Sequence, residues 1–228
     1  MQKVSGPLTK SINNSGLGAI KRILTGAPPF LGGERYLLFG TELHYRCLER
    51  KIGKWKPFDP DEQKSMLGGV KALMKCKLFT SNFTGAQIET RLVKENVFGI
   101  HAMHGTIDLN NKKKKTIIDL KTTSARTYEE FEKKAIQLAY PRQGNVYLEL
   151  DGEAKHFYII GISKKNMGTL GKPIYPIFIF DLNNYEKEKE AARQEAEFLL
   201  TFYKTYGVPL DKYTNPEKLL GDTRTKAA

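Results

Sequence analysis

Between residues 35 and 53, in RYLLFGTELHYRCLERKIG, apolar side chains return every three or four positions. Leu43, Cys47 and Leu48 mark one face, which predicts a helix carrying His44. A second helix starts at Asp59, a capping residue followed by Pro60 at the first helical position and by Glu62 three residues after the cap. Met66, Val70, Leu73 and Met74 would supply its buried side. After a turn at TSNFTGAQ the period changes to two, and IETRLVKE, VFGIHAMHGTIDL and TIIDLKTT read as strands. The last two are joined by NNKKKK, polar and turn-forming, which predicts an antiparallel hairpin. Residues 127–150 return to helical spacing with an interruption at Pro141, whose missing N–H kinks or restarts a helix. Two strands follow, KHFYIIGIS and IYPIFIFDL, then an amphipathic helix that Gly207 would stop.

The order of helices, three strands, helix, strands and helix implies an α/β fold, a mixed central β-sheet flanked by helices. Residues 1–34 mix Gly, Pro, Ser and Asn with scattered lysines, which reads as a basic, partly irregular arm. Residues 35–207 form one domain with no linker to divide it, and 208–228 read as a flexible tail.

Composition narrows the class. A chain of 228 residues, 40% hydrophobic and 27% charged, has the make-up of a globular domain rather than a disordered or fibrous one. Lys and Arg outnumber Asp and Glu by 37 to 25, a net charge of +12, which suits an anionic partner such as nucleic acid. The two cysteines, Cys47 and Cys76, are too few for a disulfide framework and lack metal-ligand spacing. With no membrane-length apolar run and no signal-peptide pattern, the expected location is cytoplasmic and no membrane partner is expected.

The chemistry gathers on the hairpin. In TIIDLKTT alternate side chains face opposite ways, so Asp119 and Lys121 share a face. A hairpin closing over residues 110–115 brings Asp108 within reach of Asp119. Two like charges in one place call for something positive between them, and carboxylate oxygens are hard ligands suited to Mg²⁺ or Mn²⁺. Lys121 would then steady an attacking water or the charge developing on a phosphate. A solvated ion-pair cluster would use the same three residues. On their own they leave both readings open.

Further motifs favour the first. Gly105 to Asp108 (GTID), Asp119 to Thr122 (DLKT) and Gln143 to Tyr147 (QGNVY) follow one another in an order that resembles the PD-(D/E)XK nuclease superfamily, and more narrowly its RecB-type and lambda-exonuclease-like branch. The upstream FGTELH resembles that branch's first helix, whose histidine joins the metal site. The resemblance spans residues of about 36 to 205 and implies a restriction-endonuclease-like core. It also implies metal coordination by His44, Asp108, Asp119 and the backbone carbonyl of Leu120, with Glu89 as a possible further carboxylate. Lys121 would orient the water. Gln143 and Tyr147, four apart and hence on one helical face, would stand near substrate phosphate. The implied function is Mg²⁺- or Mn²⁺-dependent DNA exonuclease activity in recombination, repair or phage DNA processing. The alternatives are a catalytically inactive DNA-binding module and a structure- or site-specific endonuclease.

Four cysteines would be needed for the iron–sulfur cluster that some relatives carry, so no cluster is expected, and no phosphate loop builds a motor into this chain. A single-strand-annealing protein or a separate helicase would be a fitting companion to sequence-nonspecific binding along the DNA backbone. His101 and His104 are three apart, on opposite faces of a strand, which argues against a joint metal site. His156 reads as structural. Lys112 to Lys115, and Lys164, Lys165 and Lys172 in a later loop, suit either phosphate or solvent. Trp55 and Phe58, among Lys51, Lys54 and Lys56, suit either base stacking or the core.

Overall fold

The structure, a computed structural model, describes residues 11–27, 34–49, 58–169 and 171–206. Trp55, its neighbouring lysines 51, 54 and 56, Gly207 and the 208–228 segment lie outside the described residues, as do 1–10 and 28–33.

The segment expected to be an irregular arm contains helix α1 (Asn14–Thr25). The Asn13 side chain accepts from the Gly16 N–H, and the chain leaves the helix at Gly26, whose φ of 65° needs a residue without Cβ. Leu17, Ala19 and Ile20 are buried, each large side chain contributing about 1.5–3 kcal/mol. Glycines at 16 and 18 dilute the apolar stripe, which hides the helix from periodicity. Just before it, Ile12 pairs with Met103 in a parallel bridge.

Helix α2 (Glu34–His44) runs straight into a π-helical turn (Tyr45–Glu49), then come α3 (Pro60–Leu73) and α4 (Lys77–Phe83). Asp59 caps α3 through the N–H groups of Asp61 and Glu62, and Glu62 reaches back to the Asp59 N–H, the expected capping box. Met66 and Leu73 are buried as expected, but Met74 is exposed and Gly69 takes its place on the inner face. Helix α4 covers part of the stretch read as a turn. Its driving residue is Phe79, fully buried and beyond the reach of local pattern.

One five-stranded sheet follows, in spatial order β1 (Gln87–Val97), β2 (His101–Asn111), β3 (Thr116–Thr123), β4 (His156–Ser163) and β5 (Ile177–Asp181). All pairings are antiparallel except β3 with β4. The parallel pair needs a crossover, made by α5 (Tyr128–Gln137) and α6 (Tyr140–Asp151); α7 (Glu186–Tyr206) closes the fold. The break between α5 and α6 falls at Ala139, in left-handed conformation at φ 56°, with Pro141 in the first turn of α6.

Two cores sandwich the sheet. Helices α1, α5, α6 and α7 cover one face, where Phe131, Val146, Phe157 and Leu200 meet. Helices α2, α3 and α4 and the π turn cover the other, with Leu43, Cys47, Met66, Phe79 and Leu120. Phe58 joins this second core, edge-on to Phe39 at 6.0 Å, so of its two expected roles packing is the one seen.

The alternation of faces resets at one place. Ile107 packs in the first core and Leu109 in the second, although residues two apart on a strand ordinarily share a face. Across the ladder Ile88 pairs with Leu109 and Thr90 with Ile107, and Glu89 between them has φ 49°. The irregularity thus crosses β1 and β2 together, at Glu89 and Asp108.

Candidate metal centre

At that irregularity the β2–β3 ladder, which pairs Leu109 with Ile118, gives way to a side chain. Asp108 Oδ2 accepts the Leu120 N–H at 2.7 Å, doing the work of a strand carbonyl. Its second oxygen, Oδ1, lies 3.7 Å from His44 Nδ1, and Glu89 Oε1 lies 3.6 Å from the same nitrogen. His44 Nε2–H donates to the Leu120 carbonyl at 3.0 Å. His44, Glu89 and Asp108 therefore offer three ligand atoms within 4.8 Å of one another, beside a main-chain oxygen. The π turn directly after His44 re-aims the helix at that point, a device often found at functional sites.

Asp119 stands next to this cluster but is turned away from it. Its Oδ1 accepts from Gln143 Nε2 at 2.9 Å and its Oδ2 is ion-paired with Lys121 Nζ. Both oxygens are engaged, so among the described residues the tight three-residue group contains Glu89 rather than Asp119.

The electrostatics show why a cation suits the place. Burial pushes the Asp108 carboxyl up, Asp119 pushes it further, and His44 and Lys121 offset this only in part, leaving it at about 7. Burial would lower His44, yet the hydrogen bond to Glu89 and the charges of Asp108 and Asp119 lift it to about 9. Desolvation likewise opposes the Lys121 charge, and Asp119 and Asp108 overcome it, holding the ammonium above the ordinary lysine range. The site gathers more negative charge than it can comfortably bury and keeps protons to compensate. Hard oxygens, one imidazole and an excess of negative charge are a donor set that fits Mg²⁺ or Mn²⁺.

Gln143 and Tyr147 project from one face of α6, hydrogen-bond to one another and line the same cleft beside Lys121. Gln143 orients Asp119, whereas Tyr147 is buried edge-on to Phe157 at 6.1 Å, its hydroxyl pushed up to about 12 by burial. Tyr147 also explains the glycine of GTID: a Cβ on Gly105 would stand 2.8 Å from the Tyr147 ring and 3.2 Å from Leu150. Gly105→Ala is expected to cost about 1–3 kcal/mol, read as a lowered urea midpoint at unchanged slope; an unshifted midpoint would show that the ring does not depend on the glycine.

A cleft of about 910 Å³ opens on the Lys121 side, reached by Gln143, Tyr140 and Arg91, and no carboxylate lines it among the described residues. Tyr140 lies under Lys121, with Nζ 5.9 Å from the ring centre. Sequence reasoning missed Tyr140 and Arg91. The only available signal for Arg91 is its two-residue spacing from Glu89 on β1. The other histidines stay apart: His101 packs against Tyr203, His104 shares a hydrogen bond with Ser11 at 2.9 Å, and exposed His156 stacks on Tyr158. On the hairpin, Lys112 pairs with Asp151 at 2.6 Å and Lys114 donates to the Ser81 carbonyl.

Comparison with known proteins adds to this geometry. Residues 54–171 match the family described as a PDDEXK-like domain of unknown function (DUF3799). The chain belongs to this family. The PDDEXK-like match holds Glu89, Asp108, Asp119, Lys121, Gln143 and Tyr147, and begins after His44. Among solved structures, the chain resembles a protein from Eubacterium rectale, itself only provisionally described as an exonuclease, with a TM-score of 0.54 at 16% identity over 92% of this chain and 89% of the other. It also matches a phage-related exonuclease from Haemophilus somnus, with a TM-score of 0.40 at 13% identity over 87% and 97% of the two chains. The first likeness supports the PDDEXK-like fold: a mixed five-stranded sheet flanked by helices, as expected from sequence. No curated protein matches. No helix among the described residues is long and apolar enough to cross a membrane.

Proposed function

We propose that the chain is a Mg²⁺- or Mn²⁺-dependent nuclease that hydrolyses phosphodiester bonds in DNA, acting as an exonuclease in recombination, repair or phage DNA processing. The observation that carries this reading is the convergence of His44, Glu89 and the buried Asp108, with the Asp119–Lys121 ion pair on its flank.

His44 through Nδ1, Glu89 and Asp108 would hold the ion, the Leu120 carbonyl would fix the imidazole from its Nε2–H side, and Asp119 would close the negative shell on the side of Lys121. When bound, a divalent ion supplies an acidified water and neutralises charge on a phosphate. The chain's own residues do the rest. Lys121 keeps its proton against burial because Asp119 faces it, and so presents a fixed positive charge where a phosphate oxygen gains negative charge. Gln143 holds Asp119 from behind, which keeps the ammonium aimed at the cleft. Arg91, in the cleft wall, receives the DNA backbone without reading bases. Preference for an exonuclease over an endonuclease rests on the QGNVY element, by resemblance to the lambda-exonuclease-like branch.

The test is digestion of end-labelled linear DNA and closed circular DNA with Mg²⁺, Mn²⁺ or EDTA. Loss of linear substrate that EDTA abolishes, with circular DNA intact, is expected. Cutting of circular DNA would replace the exonuclease by an endonuclease, and no metal-dependent cleavage of either would leave a non-catalytic binding module.

A further inference from the structure

A second concave surface lies on the opposite face of the sheet from α5 and α7. It is a groove of about 840 Å³ between α3 and the loop joining β4 to β5. Lys64, Lys71 and Lys75 line its helical wall, Lys164 and Lys172 its loop wall, and Asp61 is the one acid among the described lining residues. Lys64 and Lys71, seven apart, share one stripe of α3, Lys75 follows in the turn just beyond the helix, and all three are exposed. At 1.5 Å per residue Lys64 and Lys71 stand about 10 Å apart along the helix. One strand of a duplex advances about 3.4 Å per phosphate, so the helical pair alone spans about three phosphate steps and Lys75 extends the row.

The two walls are held together. Ser65 Oγ donates to the Lys164 carbonyl at 2.9 Å, and the Tyr175 ring sits so close on Gly68 that a Cβ there would meet it at 2.1 Å. Asp61 reaches Lys64 at 3.6 Å, but both are exposed and such a pair is worth little. Burial and the neighbouring Lys165 hold the Lys164 ammonium below its usual range. None of these lysines belongs to the metal centre. Helix α2 separates the two regions: Leu37 lines the catalytic cleft, while Phe39 lies under Lys164 Nζ, which is 5.4 Å from its ring centre.

We propose that this groove is a second polynucleotide-binding surface, which grips the phosphate backbone of DNA away from the bond being cut. The inference rests on the nuclease reading only for the choice of polyanion. A concave channel with like charges in a row matches a rod-shaped backbone better than a flat lipid surface. Its role would be to keep the enzyme on its substrate, adding affinity that depends on salt and not on base sequence.

The test is Lys64→Gln/Lys71→Gln/Lys75→Gln against a charge-matched control, Lys133→Gln/Lys187→Gln/Lys204→Gln, whose exposed lysines lie on α5 and α7. Binding of a fluorescein-labelled duplex of about 30 base pairs is titrated in EDTA across NaCl concentrations, so cleavage plays no part. The α3 variant should bind about tenfold or more weakly near 0.1 M salt, and the slope of log K against log salt should fall by roughly 2 to 3 in magnitude, about 0.9 per lost phosphate contact. The control should keep most of the slope. Equal losses in both variants would reduce the effect to net charge and overturn the proposal, as would an unchanged α3 variant, or a wild type that binds anionic vesicles of phosphatidylserine but not the duplex. A wild type without nuclease activity that still shows the α3-specific loss would sink the catalytic reading and leave the groove standing.

Discussion

Asp119→Asn should lower metal-dependent DNA hydrolysis by at least about 1,000-fold, a loss of about 4 kcal/mol in transition-state stabilisation. The asparagine keeps the shape of the side chain and an oxygen to accept from Gln143, so the contact that orients residue 119 survives. What disappears is the charge that holds Lys121 protonated and aimed. Asn is the better replacement for a structural reason. Both variants take the charge away from Lys121, but Asp119→Ala also leaves the buried Gln143 amide without its acceptor and empties a buried position, a further cost of about 1–3 kcal/mol in stability. Loss of activity in the alanine variant would then mix chemistry with folding. The measurement is initial rate on linear duplex with Mn²⁺, alongside thermal unfolding. A variant that retains more than a tenth of the rate while folded would remove Asp119 and Lys121 from the chemistry.

The second large effect concerns the metal itself and needs no DNA. Glu89→Gln should weaken Mn²⁺ binding by at least about tenfold, the scale on which even supporting residues of metal sites act, measured by isothermal titration calorimetry on the free protein. The reasoning is geometric: Glu89 Oε1 and Asp108 Oδ1 both face His44 Nδ1, at 3.6 and 3.7 Å. Gln143→Ala, which removes hydrogen bonds to Asp119 and Tyr147 but no candidate ligand, should change the same affinity by less than about threefold. If the two variants weaken binding alike, or if Glu89→Gln leaves it unchanged, the ion is not held where the three residues meet. Backbone strain adds weight to Glu89. A non-glycine residue at φ 49° inside a strand stores of order 1–3 kcal/mol, and the carboxylate of this one reaches His44.

Much of this architecture was legible from periodicity. Helix α3 has its capping box, the β2–β3 hairpin its lysine turn, and α6 its break before Pro141, because each depends on neighbours within a few residues. Helices α1 and α4 were not legible. Leu17 and Ile20 become buried where α1 packs on α6 and α7, and Phe79 where α4 meets β2, and no window of local sequence contains both partners. Met74 was misplaced for a related reason: one residue step turns a helix by about 100°, so an apolar side chain at the edge of the stripe can face either way until its neighbours are in place.

The site divides along the same line. Asp108, Asp119 and Lys121 are read from strand alternation and hairpin closure alone, since both follow from backbone geometry between residues 105 and 123. His44 and Gln143 needed the motif order. Glu89, a weak candidate in the sequence, joins the tight cluster because β1 lies beside β2 with a reset in its alternation, and Asp119 stands back because Lys121 and Gln143 occupy its oxygens. Short-range rules specify which residues share a strand face; which carboxylates converge on one point depends on how two cores draw the sheet to either side of the irregularity at Glu89 and Asp108, and that is a property of packing across the fold.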